Sequence, residues 1–165
     1  MKRPEIGLLL GMAMGLFAGC SDSVEPGSAP VRLSATMKLV SDSLTVTLRV
    51  QNVSDTTQVL EWYPECRDGH PATFAVYRDA ALTRLAWKPD DPASCPTVEA
   101  QMELAPDASG TIRGLPEGLS RILGDSIDAG RFYVAAHPQG LTVRPKGGSY
   151  ATPVEAKVPA GAVDL

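Results

Sequence analysis

Aromatic residues make up 5% of these 165 residues, and there are two histidines, three cysteines and no excess of positive charge. Each shortage excludes something. With 15 Lys and Arg against 19 Asp and Glu the formal charge is −4, so the composition offers no electrostatic footprint for nucleic acid or for an anionic membrane surface. Two histidines, His70 and His137, leave little material for a catalytic triad or a His-rich zinc site, and no metal or cofactor is expected. Three cysteines are too few for a disulfide-dense miniprotein, and 15 Gly and 14 Pro without an internal repeat exclude collagen. At 44% hydrophobic and 21% charged, what remains is ordinary globular composition for one domain.

One uncharged apolar run stands out, the thirteen residues from Ile6 to Ala18 behind Met1-Lys2-Arg3. As a helix it would cover roughly 20 Å, short of a bilayer's ~30 Å hydrocarbon core, so it reads as a secretory signal peptide rather than a permanent span. Its end, Leu16-Phe17-Ala18-Gly19-Cys20, resembles the lipobox of bacterial lipoproteins, with small residues where the peptidase needs room and a Cys whose thiol takes diacylglycerol. Phe17 departs from the aliphatic residue usual three places before that Cys. The expected organisation is a cleaved signal peptide over residues 1–19, a lipidated Cys20 with a flexible tether over 20–30, and one folded domain over 31–165. The tether SDSVEPGSAP is small, polar and rich in Pro and Gly, without apolar periodicity. The expected location is exported, lipid-anchored to the bacterial cell membrane or the outer membrane, with Ser21 after the Cys suiting outer-membrane sorting.

The body reads as strands. Val31, Leu33, Ala35, Met37 and Leu39 alternate with polar residues, as do Leu44, Val46, Leu48 and Val50, and Ser41-Asp42-Ser43 joins the two runs as a hairpin. Thr57 to Tyr63 predicts a third strand, and Ala72 to Tyr77 with Leu82 to Trp87 a second hairpin. Val98 to Leu104 follows, closed by a turn over Ala105 to Gly110, then Arg131 to His137, and one more strand through Val154, Ala156 and Val158. Leu115, Leu119, Ile122 and Leu123 behind Pro116-Glu117 fit one short helix. Seven to nine short antiparallel strands with turn chemistry every 8 to 12 residues predict an all-β, immunoglobulin-like sandwich.

With Cys20 assigned to lipid, Cys66 and Cys95 form the one remaining pair, in a compartment where disulfides persist. Closing a loop of roughly 30 residues would remove about 3.6 kcal/mol of unfolded-state entropy, the role of a structural staple. The loop from Tyr63 to Pro71 would be held at Cys66, which makes Tyr63, Glu65, Arg67, Asp68 and His70 the candidate partner-contact residues. Asp68-Gly69 is turn chemistry, and both histidines read as solvated turn residues. Trp62, Tyr63, Trp87, Phe132 and Tyr133 are needed for the core, and of the adjacent pair Trp62-Tyr63 one ring must point outward, Tyr63 being the better placed. Gly124-Asp125-Ser126-Ile127 resembles the GDSL block of one serine hydrolase class, yet it comes late in the chain and no D-x-x-H follows, so a turn is expected there. Asp90-Asp91 supplies too few oxygens for Ca²⁺.

The stretch Leu48 to Leu60, the Phe74 to Trp87 hairpin, the Leu104-Ala105-Pro106 turn and Ala129 to Ala136 together resemble the BsuPI-type intracellular proteinase inhibitor domain, over roughly residues 35 to 137. The resemblance implies an immunoglobulin-like sandwich and, as one function, proteinase inhibition; in this chain the exposed loop held at Cys66, with Arg67 beside it, is what would serve a trypsin-like protease. Export, the Cys pair and the extra sequence from Pro138 to Leu165 depart from that family. The expected function is therefore a non-enzymatic, lipid-anchored envelope protein acting through protein contacts. Its partners are the membrane through Cys20 and an unidentified protein, a protease being one candidate.

Overall fold

The fold was obtained as a computed structural model, which describes residues 29–63, 70–89, 99–124 and 128–165. The signal and most of the tether therefore lie outside the described residues, as do Cys20, Cys66 and Cys95.

Two ten-residue strands, β1 (Val31–Val40) and β2 (Ser43–Asn52), pair without a break from Val31↔Asn52 to Val40↔Ser43. The turn between them has two residues, Ser41 and Asp42, and Ser41 takes a positive φ of 51°, the handedness that two-residue hairpins favour. Period two does the rest. Leu44, Val46, Leu48 and Val50 all point inward and are fully buried, while Thr45, Thr47, Arg49 and Gln51 point the other way. Each of these aliphatic side chains contributes about 1.5–3 kcal/mol by leaving water.

β7 (Ser109–Arg113) lies on the other side of β2, and β8 (Glu117–Gly118) extends that edge, completing the first sheet. The second sheet runs in the order β11 (Thr152–Pro153), β10 (Thr142–Pro145), β3 (Gln58–Trp62), β6 (Ala100–Leu104). The third runs β12 (Val158–Asp164), β9 (Arg131–Ala136), β4 (Phe74–Tyr77), β5 (Leu85–Trp87). Every pairing is antiparallel. The first and second sheets share the β6–β7 hairpin, whose turn places Pro106 ahead of Asp107 at φ 62° and closes with Ala108 N–H donating to Ala105 O at 3.0 Å. All three sheets send side chains into one core, among them Leu48, Leu60, Trp62, Phe74, Phe132 and Val134. The result is a β-sandwich-like, all-β architecture with one short helix, α1 (Leu119–Leu123), which buries Ile122.

Twelve strands among the described residues exceed the seven to nine expected. The surplus comes from β7, from the two-residue β8 and from the C-terminal stretch, which makes β10, β11 and β12 where one strand through Val154, Ala156 and Val158 was expected; of those three only Val158 lies in a strand. The helix begins at Leu119, so Leu115 lies outside it and is exposed.

β1 and β12 are edge strands of different sheets that run beside each other without hydrogen bonds between them. Gly161, at φ 135° where the β12–β9 register shifts, admits the approach: a Cβ there would stand 3.3 Å from Met37 Cε. Gly114 permits a second close approach, since its Cβ would meet Ala72 O at 2.5 Å and Val46 O at 2.9 Å.

Candidate functional site

Of the five loop residues singled out from sequence, Tyr63 and His70 are described, whereas Glu65, Arg67 and Asp68 lie outside the described residues. Trp62 ends β3 inside the core and Tyr63, the next residue, is 42% exposed, because adjacent side chains on a strand point to opposite faces. His70 corrects the expectation of a solvated turn residue: it is 5% exposed. The turn that follows needs an acceptor, and His70 provides two, with Nδ1 taking the Ala72 N–H at 3.1 Å and the backbone O taking the Thr73 N–H at 2.9 Å. An Nδ1 that accepts leaves the proton on Nε2, so the ring is neutral, and burial holds its pKa below the ordinary 6.5. Both feet of the 63–70 loop are thus seated in packed structure, Trp62 on one side and His70, Pro71 and Ala72 on the other.

His137 is the second correction. It directly follows β9, half-buried, and its Nε2 shares a 2.7 Å hydrogen bond with Tyr77 Oη, the rings stacked at 17° with centroids 6.1 Å apart. Burial first and the nearby Lys157 charge second lower the His137 pKa, while burial raises that of Tyr77. With both groups neutral, the phenol donates when the imidazole proton sits on Nδ1. Lys157 Nζ lies 4.9 Å from the Tyr77 ring centroid and donates to Leu82 O at 2.8 Å. A cavity of about 420 Å³ opens beside this group, lined by Thr73, Tyr77, Leu85, Lys88, His137 and Gln139. The phenol, imidazole and ammonium are bonded to one another or to backbone, which ties the Leu82 turn and the segment around Lys157 onto the outer face of the third sheet. That face holds a small second cluster of Ala75, Tyr77, Leu82 and Ala135.

The remaining sequence candidates divide in the same way. Phe132 is buried, Tyr133 is half-buried, and Trp87 packs on Phe74 with centroids 5.6 Å apart. Gly124 caps α1 at φ 51°, whereas Asp125, Ser126 and Ile127, like Asp90 and Asp91, fall outside the described residues. Among the described residues no three His, Cys, Asp or Glu side chains gather in a metal-binding group, and no helix is long and apolar enough to cross a membrane.

Sequence reasoning missed the charge distribution. The outward side chains of β1, β2 and β7 form rows: Arg32, Gln51 and Ser109; Ser34, Arg49 and Thr111; Thr36, Thr47 and Arg113; then Lys38 and Thr45. Four are cations, the others are hydroxyls and one amide, and none is a carboxylate. Register converts scattered residues into a one-signed face on a chain of net negative charge. No protein-family model matches this chain, and no curated protein is significantly similar to it.

Proposed function

We propose that this chain is a lipid-anchored, immunoglobulin-like envelope protein that acts through protein contacts rather than catalysis. The observation that carries the reading is the seating of the 63–70 loop. With Trp62 and His70 both in packed surroundings and Tyr63 exposed between them, a partner pays little to order the loop's feet. The all-β architecture around one core supports a presenting scaffold, and the signal-like N-terminus ending in Gly19-Cys20 supports export and anchoring.

Photo-crosslinking in cells tests the contact. A benzophenone residue at position 63 should give discrete adducts, and the same residue at Tyr150, which is 89% exposed in another loop, should not. Equal labelling at both positions, or none at 63, ends the reading. Intact mass of protein from membranes, with and without reductant, tests the address: diacylglycerol on Cys20 and a Cys66–Cys95 bond are expected.

The same two seated feet favour one second reading, proteinase inhibition of the BsuPI type, because Arg67 lies between them and suits a trypsin-like specificity pocket. Titration against trypsin-like proteases with Arg67→Ala as control decides it. No inhibition at micromolar protein removes that reading.

A further inference from the structure

The basic outer face of the first sheet has a use that protein contact through the 63–70 loop leaves open. Arg32 on β1, Arg49 on β2 and Arg113 on β7 each stand one strand over and two residues along from the last, a diagonal with Cα steps of about 8 Å by ordinary sheet spacing. All three are exposed, as is Lys38 farther along β1. Among the described residues none of the four has a carboxylate partner, and the one polar contact in the group is Arg49 Nη2 donating to Ser109 Oγ at 3.2 Å. The carboxylates of Asp42, Asp55 and Asp107 belong to turns at the strand ends. Val40 closes the face at the β1–β2 tip as an exposed aliphatic side chain, 53% exposed.

We propose that this face docks on the headgroups of an anionic phospholipid surface, holding the domain face-down on the membrane that anchors it. The placement rests on the lipoprotein reading above. Ten residues lie between Cys20 and Val31, so the eleven Cα steps of the tether reach at most about 40 Å, and it enters the fold at the first residue of β1, next to Arg32. Diacylglycerol on Cys20 already holds the chain by two acyl groups, so the basic face would set the orientation of the domain rather than its attachment. The face carries no aromatic ring on which a base or sugar would stack, which favours a lipid surface over nucleic acid or a glycan. Docked this way, a cation near an anionic membrane strengthens partitioning about five-fold, and salt screens the effect beyond roughly 10 Å at 0.1 M.

Flotation of the purified full chain with vesicles of phosphatidylcholine, alone or with one quarter phosphatidylglycerol, tests the proposal. The ratio of the two partition coefficients isolates the charge effect from any general affinity for lipid. The expected result is tighter binding to the anionic vesicles, weakening with salt, and a loss of about a hundred-fold in that ratio for the triple variant Arg32→Gln, Arg49→Gln, Arg113→Gln. An equal removal of charge elsewhere, Arg84→Gln, Lys88→Gln, Arg131→Gln, should lose no more than a few-fold. Matching thermal melts show that both triples fold. Equal losses in the two triples, or a wild-type ratio near one, overturn the proposal. So does three-arginine-dependent binding to polygalacturonate without binding to vesicles, which would make an acidic polymer the occupant. The Cys20→Ser full chain separates this from the anchor: persistence of the arginine dependence there supports the face whatever the mass of residue 20 proves to be.

Discussion

Replacing Asn52 with Ala should cost this fold about 3 kcal/mol, although the side chain is polar and stands at the end of a strand. Asn52 is fully buried, and each of its side-chain atoms has two partners. Nδ2 donates to Leu104 O at 2.9 Å and to Thr56 O at 2.8 Å, while Oδ1 accepts from Ser54 N–H at 2.9 Å and from Ser54 Oγ at 2.7 Å. The amide thus closes the β2–β3 turn on itself and fastens it to the end of β6. Four hydrogen bonds at a net of about 1 kcal/mol each set the scale, and the truncated side chain strands the buried Leu104 carbonyl. For a domain of this size the loss corresponds to a fall in Tm of about 10 °C. Ser54→Ala, at a half-buried position that water reaches, should cost about 1 kcal/mol. Asn52→Asp supplies the sharper control, because it keeps the shape and replaces the amide donor with a carboxylate oxygen, an acceptor facing two carbonyl oxygens. Burial and those oxygens raise the folded carboxyl above the unfolded value of about 3.9, so its deficit grows as pH rises above that value and eases on acidification. Urea denaturation of the three variants at pH 7.5 and 4.5 measures all of this. A stability of Asn52→Ala within about 0.5 kcal/mol of wild type would refute the reasoning.

The buried imidazole of His70 and the half-buried one of His137 make stability depend on pH in a definite direction. The folded pKa values of His70 and His137 both lie below 6.5, so above that pH neither state holds the proton, and below it the unfolded chain takes up protons the folded chain refuses. The urea midpoint should therefore fall from pH 7.5 to 5.5, less so in the His70→Gln, His137→Gln double variant, and a flat wild-type profile counts against the burial argument. Gly114→Ala should lose at least about 2 kcal/mol, since its Cβ meets backbone oxygens on two sides, whereas Gly130→Ala, with nothing within 4 Å, should change little. Arg144 donates to Glu61 Oε1 through both Nε and Nη2, at 3.0 and 2.6 Å, whereas Lys146 meets Glu103 at 2.7 Å in the open. Thermal melts should accordingly rank Arg144→Ala below Lys146→Ala, and the opposite order would discount the shielding of the Glu61 pair.

What was legible in the sequence is what period two can carry. β1 and β2 alternate and β9 runs apolar from Phe132 to Ala136, and the turn residues beside them fall where the chain reverses. β7 escaped because its inward positions are Gly110 and Ile112, and a glycine gives no hydrophobic signal. It serves instead by making room for Met102, whose Sδ lies where a Cβ would stand. β12 escaped because Gly161 and the register shift beside it break the alternation. His70 and His137 read as solvated because Gly69, Pro71 and Pro138 stand beside them. Such neighbours mark a turn, however, without saying which side of it faces the core.

The basic face shows a different limit. Net charge is a sum over the chain, and −4 conceals a sheet surface bearing four cations and no carboxylate. The two-residue turn Ser41-Asp42, with the apolar alternation on both strands, puts Arg32, Lys38 and Arg49 on one face, because paired residues share a side and alternate positions repeat it. Arg113 joins them only once β7 is known to lie against β2, sixty-odd residues away in sequence. Among the described residues, Asp42, Asp55 and Asp107 stand instead in turns, and Glu61 and Glu103 lie on the second sheet paired with Arg144 and Lys146. An acidic protein of this construction approaches an anionic surface in one orientation and is repelled in the others, so segregation of charge selects which face of the domain meets that surface.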